Sequence, residues 1–239
     1  MDSLVVDNVY KRFGEIEAVS GVSFSVKEGE IFGLIGPNGA GKTTTLRMIS
    51  TLLQVNSGSI SVCGHDVKEQ PDEVRKIISY LPEDAGAYKD LTGRAYLKFM
   101  AAFFADGAEF EAMVANGIKM ANLGDRIDSK VSTYSKGMMR RLLIARAVMP
   151  SPRFAIMDEV TSGLDVNNAH DIRNIIRDIS GTGVTVLLSS HNMFEVEMLC
   201  NRVGMINKGK LILCGTPAEL KQQYDANNLE EVFIKAVAE

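Results

Sequence analysis

The feature that most constrains the fold of this chain is a glycine-rich loop between a short apolar segment and a helix-like one. The loop reads GPNGAGKTT and fits the pattern Gly-x4-Gly-Lys-[Ser/Thr] with Gly36, Gly41, Lys42 and Thr43. The apolar run IFGLI precedes it, and apolar residues at helical spacing follow it. Because this order lets backbone N–H groups converge at the positive end of a helix dipole, the sequence predicts an α/β fold with a phosphate-binding loop.

The side chains of the loop suit a nucleoside triphosphate bound with a metal ion. Glycines let the backbone approach the ligand closely. Lys42 can reach the β- and γ-phosphates, and the Thr43 hydroxyl can hold Mg²⁺. The residues expected to contact the nucleotide here are Gly36, Pro37, Asn38, Gly39, Ala40, Gly41, Lys42, Thr43 and Thr44.

Composition narrows the classes of partner. The 239 residues are 46% hydrophobic and 23% charged with a net charge of −4, and no long Lys/Arg run occurs, so nucleic acid is not expected as a partner. Three scattered cysteines without a CxxC fit small core residues in a reducing compartment. No apolar stretch approaches the ~20 residues that span a bilayer. We therefore expect a cytoplasmic protein that reaches a membrane only through a partner.

The pattern along the chain predicts one domain over residues 1–239. Strand-like segments alternate up to the glycine loop, residues 91–150 are helical in pattern, and FAIM and VTVLLSS are typical of buried parallel strands. We expect a mostly parallel sheet with an N-terminal antiparallel part and an inserted helical subdomain over about 84–150. A helical tail is expected over about 216–239, opened by a capping box at Thr216.

Charged side chains follow the two later strands. FAIM ends in Asp158 and Glu159, and VTVLLSS ends next to His191. Ligands of open α/β sheets bind at the carboxyl ends of parallel strands. We therefore expect Asp158 to hold Mg²⁺, Glu159 to polarise the attacking water and His191 to face the same γ-phosphate. The alternatives are a solvated strand end and an ordinary surface histidine.

Taken in order, the motifs resemble the ATP-binding subunits of ABC transporters over nearly the whole chain, and the exporter type in particular. GPNGAGKT is similar to the Walker A motif and FAIMDE to the Walker B motif. YSKGM resembles the family signature, usually LSGGQ, and begins a helix for which Ser135 is a plausible N-cap. SGLD, ending at Asp165, resembles the D-loop, and His191 resembles the switch histidine.

The resemblance assigns further roles. It implies a head-to-tail dimer with a second copy or a similar subunit, in which each ATP lies between the glycine loop of one subunit and Ser135, Lys136 and Gly137 of the other. It implies an integral membrane permease as a second partner at the inner face of the cell membrane. Lys42, Glu159 and His191 would be catalytic. The remaining implied contacts are Phe13 stacking on adenine, Asp165 at the nucleotide, and Glu83 near Mg²⁺ beside Thr43 and Asp158.

Four residues depart from the usual family pattern. Glu83 replaces an amide, Lys136 a glycine, Met138 a glutamine and Val160 a proline. None of them replaces Lys42 or the carboxylates after FAIM, so we expect ATP hydrolysis to survive. The Glu83 carboxylate adds negative charge near the phosphates, and the Lys136 ammonium can compensate for it.

Other functions compete with a transport ATPase. A soluble ABC-type ATPase in cofactor assembly or another non-transport role is the alternative that the sequence leaves open. A non-hydrolysing clamp is disfavoured by Glu159, and a P-loop kinase or GTPase by the signature and D-loop. For the permease we expect a docking surface over Asp84–Phe104, with Tyr88 as its anchor. Phe99 and Phe103, four residues apart, are interpreted as packing inside the helical subdomain.

Overall fold

The computed structural model describes residues 1–238, in which ten strands form two sheets. In chain order the strands are β1 (Asp2–Phe13), β2 (Ile16–Lys27), β3 (Ile31–Ile35), β4 (Ser57–Val62), β5 (His65–Asp66), β6 (Ile78–Leu81), β7 (Phe154–Asp158), β8 (Thr185–Ser190), β9 (Arg202–Asn207) and β10 (Lys210–Gly215). The six-stranded sheet has the order β10-β9-β3-β8-β7-β6, and the four-stranded sheet has the order β2-β1-β4-β5.

The six-stranded sheet is parallel except for its β9–β10 hairpin. All residues of β3, β7 and β8 are buried, which explains their nearly continuous apolar sequences. Ile35 pairs with Ser190 and Asp158 with Ser189, so these three strands end at the same edge of the sheet. The predicted mostly parallel sheet is therefore confirmed.

The four-stranded antiparallel sheet is the predicted N-terminal part, and it covers the six-stranded sheet. Its inward-facing residues share a hydrophobic cluster with β3 and with the helix after the glycine loop. Phe24 of β2 stacks on Phe32 of β3 with ring centroids 5.2 Å apart. β1 and β2 have 12 residues each, which is more than the apolar alternation indicates. Both strands are longer because their ends also pair with each other in the hairpin that joins them.

Nine α-helices complete the described residues, and none of them is long and apolar enough to cross a bilayer. They are α1 (Lys42–Ile49), α2 (Pro71–Ile77), α3 (Gly93–Ala101), α4 (Gly107–Ala121), α5 (Lys136–Val148), α6 (Val166–Gly181), α7 (Met193–Leu199), α8 (Pro217–Gln223) and α9 (Leu229–Ala238). Short 3₁₀ turns cover Gly124–Asp128 and Val131–Thr133.

Helices α3, α4 and α5 occupy the region between β6 and β7, where the sequence predicts helices alone. They pack around Leu97, Val114 and Leu142, which are almost fully buried. The expected helical tail contains α8 and α9, and Thr216 forms the predicted capping box with Glu219. Residue 239 of that tail lies outside the described residues. α7 was not predicted, because its seven residues are too few for a clear helical period.

The interpretation of Phe99 and Phe103 as core residues is wrong. Their side chains are 43% and 69% exposed. The buried face of α3 includes Tyr96, Leu97 and Ala101, and position 99 falls off that face. Phe103 follows the end of α3 at Ala101, so the helical period no longer governs where it points.

Candidate functional site

The glycine loop wraps around the buried amine of Lys42. Lys42 Nζ donates hydrogen bonds to the carbonyl oxygens of Gly36 at 2.8 Å and Pro37 at 3.2 Å. Gly41 has φ of 108°, and a Cβ there would lie 2.6 Å from the carbonyl oxygen of Ala18, so only glycine fits. This backbone places the first residue of α1, Lys42, at the positive end of the helix.

An open cavity of about 310 Å³ lies over this loop. Most of the predicted loop residues line it, together with the carboxylates of Glu83 and Glu159, which were also predicted. Ala18 of β2 lines it as well and was not predicted. The lining residues are Ala18, Asn38, Gly39, Gly41, Lys42, Thr43, Thr44, Glu83 and Glu159. Cationic and N–H groups from a helix start, facing an open cavity, suit the phosphates of a nucleotide.

Glu159 lies between the loop lysine and the histidine. Its Oε1 is 3.4 Å from Lys42 Nζ, and its Oε2 is 2.8 Å from His191 Nδ1. An ionised carboxylate can only accept, so in that state His191 would donate from Nδ1 in this second contact. The side chains of Lys42 and Glu159 are each 6% exposed, whereas His191 is 48% exposed. A buried carboxylate held between two nitrogen donors beside a phosphate cavity can act as a general base.

The backbone at Glu159 has the left-handed conformation, with φ of 49°, which is uncommon for a residue with a side chain. Its N–H donates to the carbonyl and the hydroxyl of Ser189, each at 3.2 Å. The hydroxyl of Ser189 in turn donates to Asp158 Oδ1. Ser189 therefore positions both acids from the neighbouring strand, a role that sequence reasoning missed; the signal was a polar residue in a buried strand end.

The predicted signature residues begin α5 and lie outside the phosphate cavity of the same chain. Ser135 is the N-cap of α5 and accepts a hydrogen bond from the Met138 N–H at 3.2 Å, as predicted. A Cβ on Gly137 would lie 1.9 Å from Asn168 Oδ1, so this glycine lets α5 approach the start of α6.

Asp165 is the N-cap of α6. Its carboxylate accepts from the Asn168 backbone N–H at 2.9 Å and from Asn168 Nδ2 at 2.6 Å. These hydrogen bonds lower the pKa of Asp165, because they stabilise its ionised form. Asp165 therefore caps α6, and it is not among the residues that line the phosphate cavity.

A second cleft, of about 330 Å³, shares Glu83 with the phosphate cavity. Lys136 and Arg140 of α5 also line it, facing Gly163 of the D-loop. The Arg140 guanidinium donates to the Glu83 carbonyl oxygen from two nitrogens, each at 3.3 Å. Burial lowers the pKa of Arg140, and the nearby Glu83 carboxylate opposes that shift. Lys136 and Glu83 thus line the same cleft.

Phe13 is at the end of β1, and its side chain is 48% exposed. Lys11 Nζ lies 5.3 Å from the centroid of its ring. The hairpin that carries Phe13 also carries Ala18, which lines the phosphate cavity, but Phe13 itself does not line it. An accessible ring on this hairpin is free to stack on a planar group bound at the cavity.

Comparison with known proteins places these motifs in a family. The family model described as ABC transporter matches residues 19–162, which include the glycine loop, the signature, Asp158 and Glu159. Similarity to individual proteins extends further along the chain.

Two curated relatives are ATP-binding proteins of bacteria. The chain is 35% identical to the linearmycin resistance ATP-binding protein LnrL of Bacillus subtilis (strain 168), covering 99% of this chain and 76% of the relative. It is 39% identical to the Nod factor export ATP-binding protein I of Paraburkholderia xenovorans (strain LB400), covering 95% of this chain and 75% of the relative.

Solved structures share the same fold. An ATP-binding subunit of an ABC transporter is 28% identical with a TM-score of 0.85, covering 98% of this chain and 99% of the other. A dimeric ATP-binding cassette in a post-hydrolysis state, bound to ADP and phosphate, is 25% identical with a TM-score of 0.78, covering 89% and 98%.

Proposed function

Since the chain belongs to the ABC transporter family, as one of its ATP-binding domains, we propose that it hydrolyses ATP to ADP and phosphate and so powers a separate membrane permease. The relatives named for Nod factor export and for linearmycin resistance favour an exporter. The complex would lie at the inner face of the cell membrane, with this chain on the cytoplasmic side.

The geometry around Glu159 carries this proposal. Phosphates in the cavity give Lys42 Nζ stronger partners than the carbonyls of Gly36 and Pro37 to which it donates. With Lys42 engaged there, the Glu159 carboxylate is free to take a proton from the attacking water. His191 is bonded to the other carboxylate oxygen and would hold Glu159 in place beside a bound γ-phosphate. The reaction is hydrolysis because a water-activating base lies beside the loop.

The residues near the cavity also fit a magnesium ion. Thr43 and Glu83 line the cavity, whereas Asp158 at the end of β7 is buried, does not line it and has one oxygen bonded to Ser189. Oxygen ligands of this kind, with phosphates and water completing the set, are what Mg²⁺ prefers. When bound, the ion neutralises charge on the phosphates. Thr43, Asp158 and Glu83 are the residues proposed to hold it.

A head-to-tail dimer would complete the nucleotide site. Ser135, Lys136 and Gly137 lie outside the phosphate cavity of their own chain, and Ser135 and Lys136 are exposed. The start of α5 therefore offers N–H groups and one ammonium to an anion bound on another subunit. The dimeric post-hydrolysis cassette among the solved relatives supports this arrangement.

The surface proposed to meet the permease lies in the Asp84–Phe104 segment. We define the aromatic surface as Tyr88, Phe99, Phe103 and Phe104, whose side chains are 43–69% exposed. The rings meet edge to face, at 5.4 Å between Tyr88 and Phe99 and 5.3 Å between Phe99 and Phe103. A cavity of about 740 Å³ adjoins Phe103 and Phe104 and is also lined by residues of β6. Exposed aromatic rings beside a cavity suit a protein interface.

Two measurements on the same preparation test this function. The purified chain is expected to release phosphate from ATP with Mg²⁺, and the release is expected to stop with a chelator. Detergent-solubilised membranes are expected to yield the chain together with an integral membrane protein. If the chain hydrolyses ATP but no integral membrane protein co-purifies with it, the result would favour the soluble cofactor-assembly alternative. An absence of Mg²⁺-dependent hydrolysis in both the free and the membrane-bound protein would contradict the proposed reaction.

A further inference from the structure

A buried polar network outside the phosphate cavity joins three segments of the chain. The Thr161 hydroxyl donates a hydrogen bond to Glu195 Oε2. Arg173 Nη1 lies 3.4 Å from Glu195 Oε1, and the side chains of Arg173 and Glu195 are only 8% and 14% exposed. A carboxylate in such surroundings needs both partners to offset its loss of water. None of these three residues has a part in the nucleotide site described above.

The network connects the segments that carry Glu159 and His191. Thr161 follows Glu159 by two residues, in the turn that leaves β7. Glu195 follows His191 by four residues and lies in α7. Arg173 comes from the middle of α6, which packs beneath both segments. One carboxylate therefore links the backbone after the proposed base to the helix after the histidine.

Neither segment is rigid by itself. α7 has seven residues, too few to be stable without tertiary contacts. Glu159 is in the left-handed region, where the surrounding structure must hold the backbone. The side chains of Glu159 and His191 meet through a single 2.8 Å contact. A displacement of about 1 Å in such a pair is enough to slow a reaction by up to ~10²-fold.

We propose that Thr161 and Glu195, supported by Arg173, are positioning residues that set the separation of the Glu159 carboxylate and the His191 ring during hydrolysis. The proposal rests on the ATPase function proposed above. Thr161 holds the turn at one end of the pair, and Glu195 holds α7 at the other. None of the three residues lines the phosphate cavity, so the network acts through geometry and leaves ATP binding unchanged.

A second carboxylate on α7 provides a matched control. Glu197 lies 2.5 Å from Lys221 Nζ and accepts from the Leu229 N–H at 3.1 Å, so it ties α7 to the C-terminal helices. Residues two apart on a helix point to different sides, and Glu197 therefore faces away from Glu195. Glu195→Gln and Glu197→Gln remove the same charge from the same helix, but only the first removes the carboxylate charge that pairs with Arg173 in the network.

The test uses the full chain with four substitutions: Thr161→Val, Thr161→Ser, Glu195→Gln and Glu197→Gln. Valine keeps the shape of threonine without the hydroxyl, and serine keeps the hydroxyl. We expect Thr161→Val and Glu195→Gln each to lower kcat by roughly 10-fold or more while KM for ATP changes by less than about two-fold. Thr161→Ser is expected to retain most of kcat. Glu197→Gln is expected to lower the melting temperature without this effect on kcat.

A second readout needs no nucleotide. The chain has three histidines, so the imidazole ¹⁵N resonances of His191 can be assigned by substitution of the other two. We expect Thr161→Val and Glu195→Gln to shift the His191 resonances, and Glu197→Gln and Thr161→Ser to leave them in place.

The outcomes separate the two proposals. If the wild-type chain hydrolyses ATP and Thr161→Val matches it in both kcat and the His191 resonances, the positioning role is wrong. An equal loss of kcat in Glu197→Gln would also overturn it, because α7 would then need only general anchoring. A wild-type chain without hydrolysis contradicts the proposed function instead, and the resonances still test the network. If Glu195→Gln fails to fold, the two Thr161 variants decide.

Discussion

The phosphate-cavity residues and the aromatic surface differ in how their side chains are held. Lys42, Asp158 and Glu159 are at most 7% exposed, and each is bonded to groups from a neighbouring loop or strand. The rings of Tyr88, Phe99, Phe103 and Phe104 are largely exposed, and their ring contacts are within the same short segment. The side chains of the first region are held in place by contacts within one chain, whereas those of the second gain most from a partner that covers them.

This difference separates the residues proposed to hydrolyse ATP from the residues proposed to bind the permease. A buried ion pair such as Lys42–Glu159 is costly unless its partners are in place, and a phosphate-bearing ligand supplies new ones. Exposed aromatic rings bring no such cost and contribute their apolar area only when a second surface excludes water. Substitutions in the two regions should therefore affect different measurements.

The largest effect is expected from Lys42→Ala. The substitution removes the one amine that the glycine loop holds over the cavity, together with the charge that pairs with Glu159. We expect hydrolysis to fall by on the order of 10²–10³-fold and ATP affinity to fall with it. Phosphate release and nucleotide binding measure the two effects. Lys119→Ala, at an exposed lysine of α4, is the control. Wild-type rates of phosphate release and wild-type ATP affinity in Lys42→Ala would contradict the assignment of the phosphate loop.

The next effect concerns the aromatic surface. Tyr88→Ala removes a ring that is 57% exposed and contacts Phe99 edge to face. We expect its affinity for the membrane subunit to fall by roughly 10-fold or more, as for an interface anchor, while the basal hydrolysis of the free chain is unchanged. Pull-down of the membrane subunit measures this.

Phe194→Ala is the matched control, because Phe194 is an aromatic residue that is 68% exposed outside the aromatic surface. Assembly that survives Tyr88→Ala, combined with unfolding of the free chain, would assign Tyr88 to the core and move the docking surface elsewhere.

A smaller effect is expected from Phe13→Ala. Stacking on adenine is remote from the γ-phosphate, so it contributes equally to ground-state and transition-state binding. We expect KM for ATP to rise by roughly 2- to 10-fold with little change in kcat at saturation. Ile16→Ala controls for loss of apolar area, because Ile16 pairs with Phe13 across the same hairpin. A lower melting temperature without any change in KM would mean that Phe13 only packs.

The smallest effect is expected from Ser135→Ala measured on the isolated chain. The serine hydroxyl caps α5, and loss of an N-cap costs about 1 kcal/mol of folding free energy. We expect the melting temperature to fall by about 2–4 °C, whereas Ser135→Thr retains most of the cap. A fall well beyond this range would show that Ser135 has a structural role larger than capping.

Sequence reasoning was most successful where a motif lies at the end of a buried strand. The loop after β3 and the acids after β7 were placed correctly at one sheet edge, because apolar runs identify buried strands and parallel strands share their carboxyl ends. The Ser135 cap and the Thr216 capping box were also predicted correctly, because capping depends on a few neighbouring residues.

Contacts between segments that are distant in the chain could not be predicted from the sequence. Ser189 supports Asp158 from another strand, and Glu195 meets Arg173 from another helix. The position of Ser189 at a buried strand end is a signal of a polar role, but the partner of each residue depends on tertiary packing and cannot be identified from the local pattern. The wrong interpretation of Phe103 has the same origin, because an apolar residue past a helix end has no period to follow.

Hydrolysis by Glu159→Gln tests the central claim most directly. The amide keeps the shape of the side chain between Lys42 and His191 and removes the base. With Mg²⁺ and saturating ATP, the variant is expected to bind ATP as the wild type does and to turn it over roughly 10²-fold or more slowly, accumulating as an ATP-bound dimer in size-exclusion chromatography. A variant that binds ATP and hydrolyses it at the wild-type rate would contradict the assignment of Glu159 as the base.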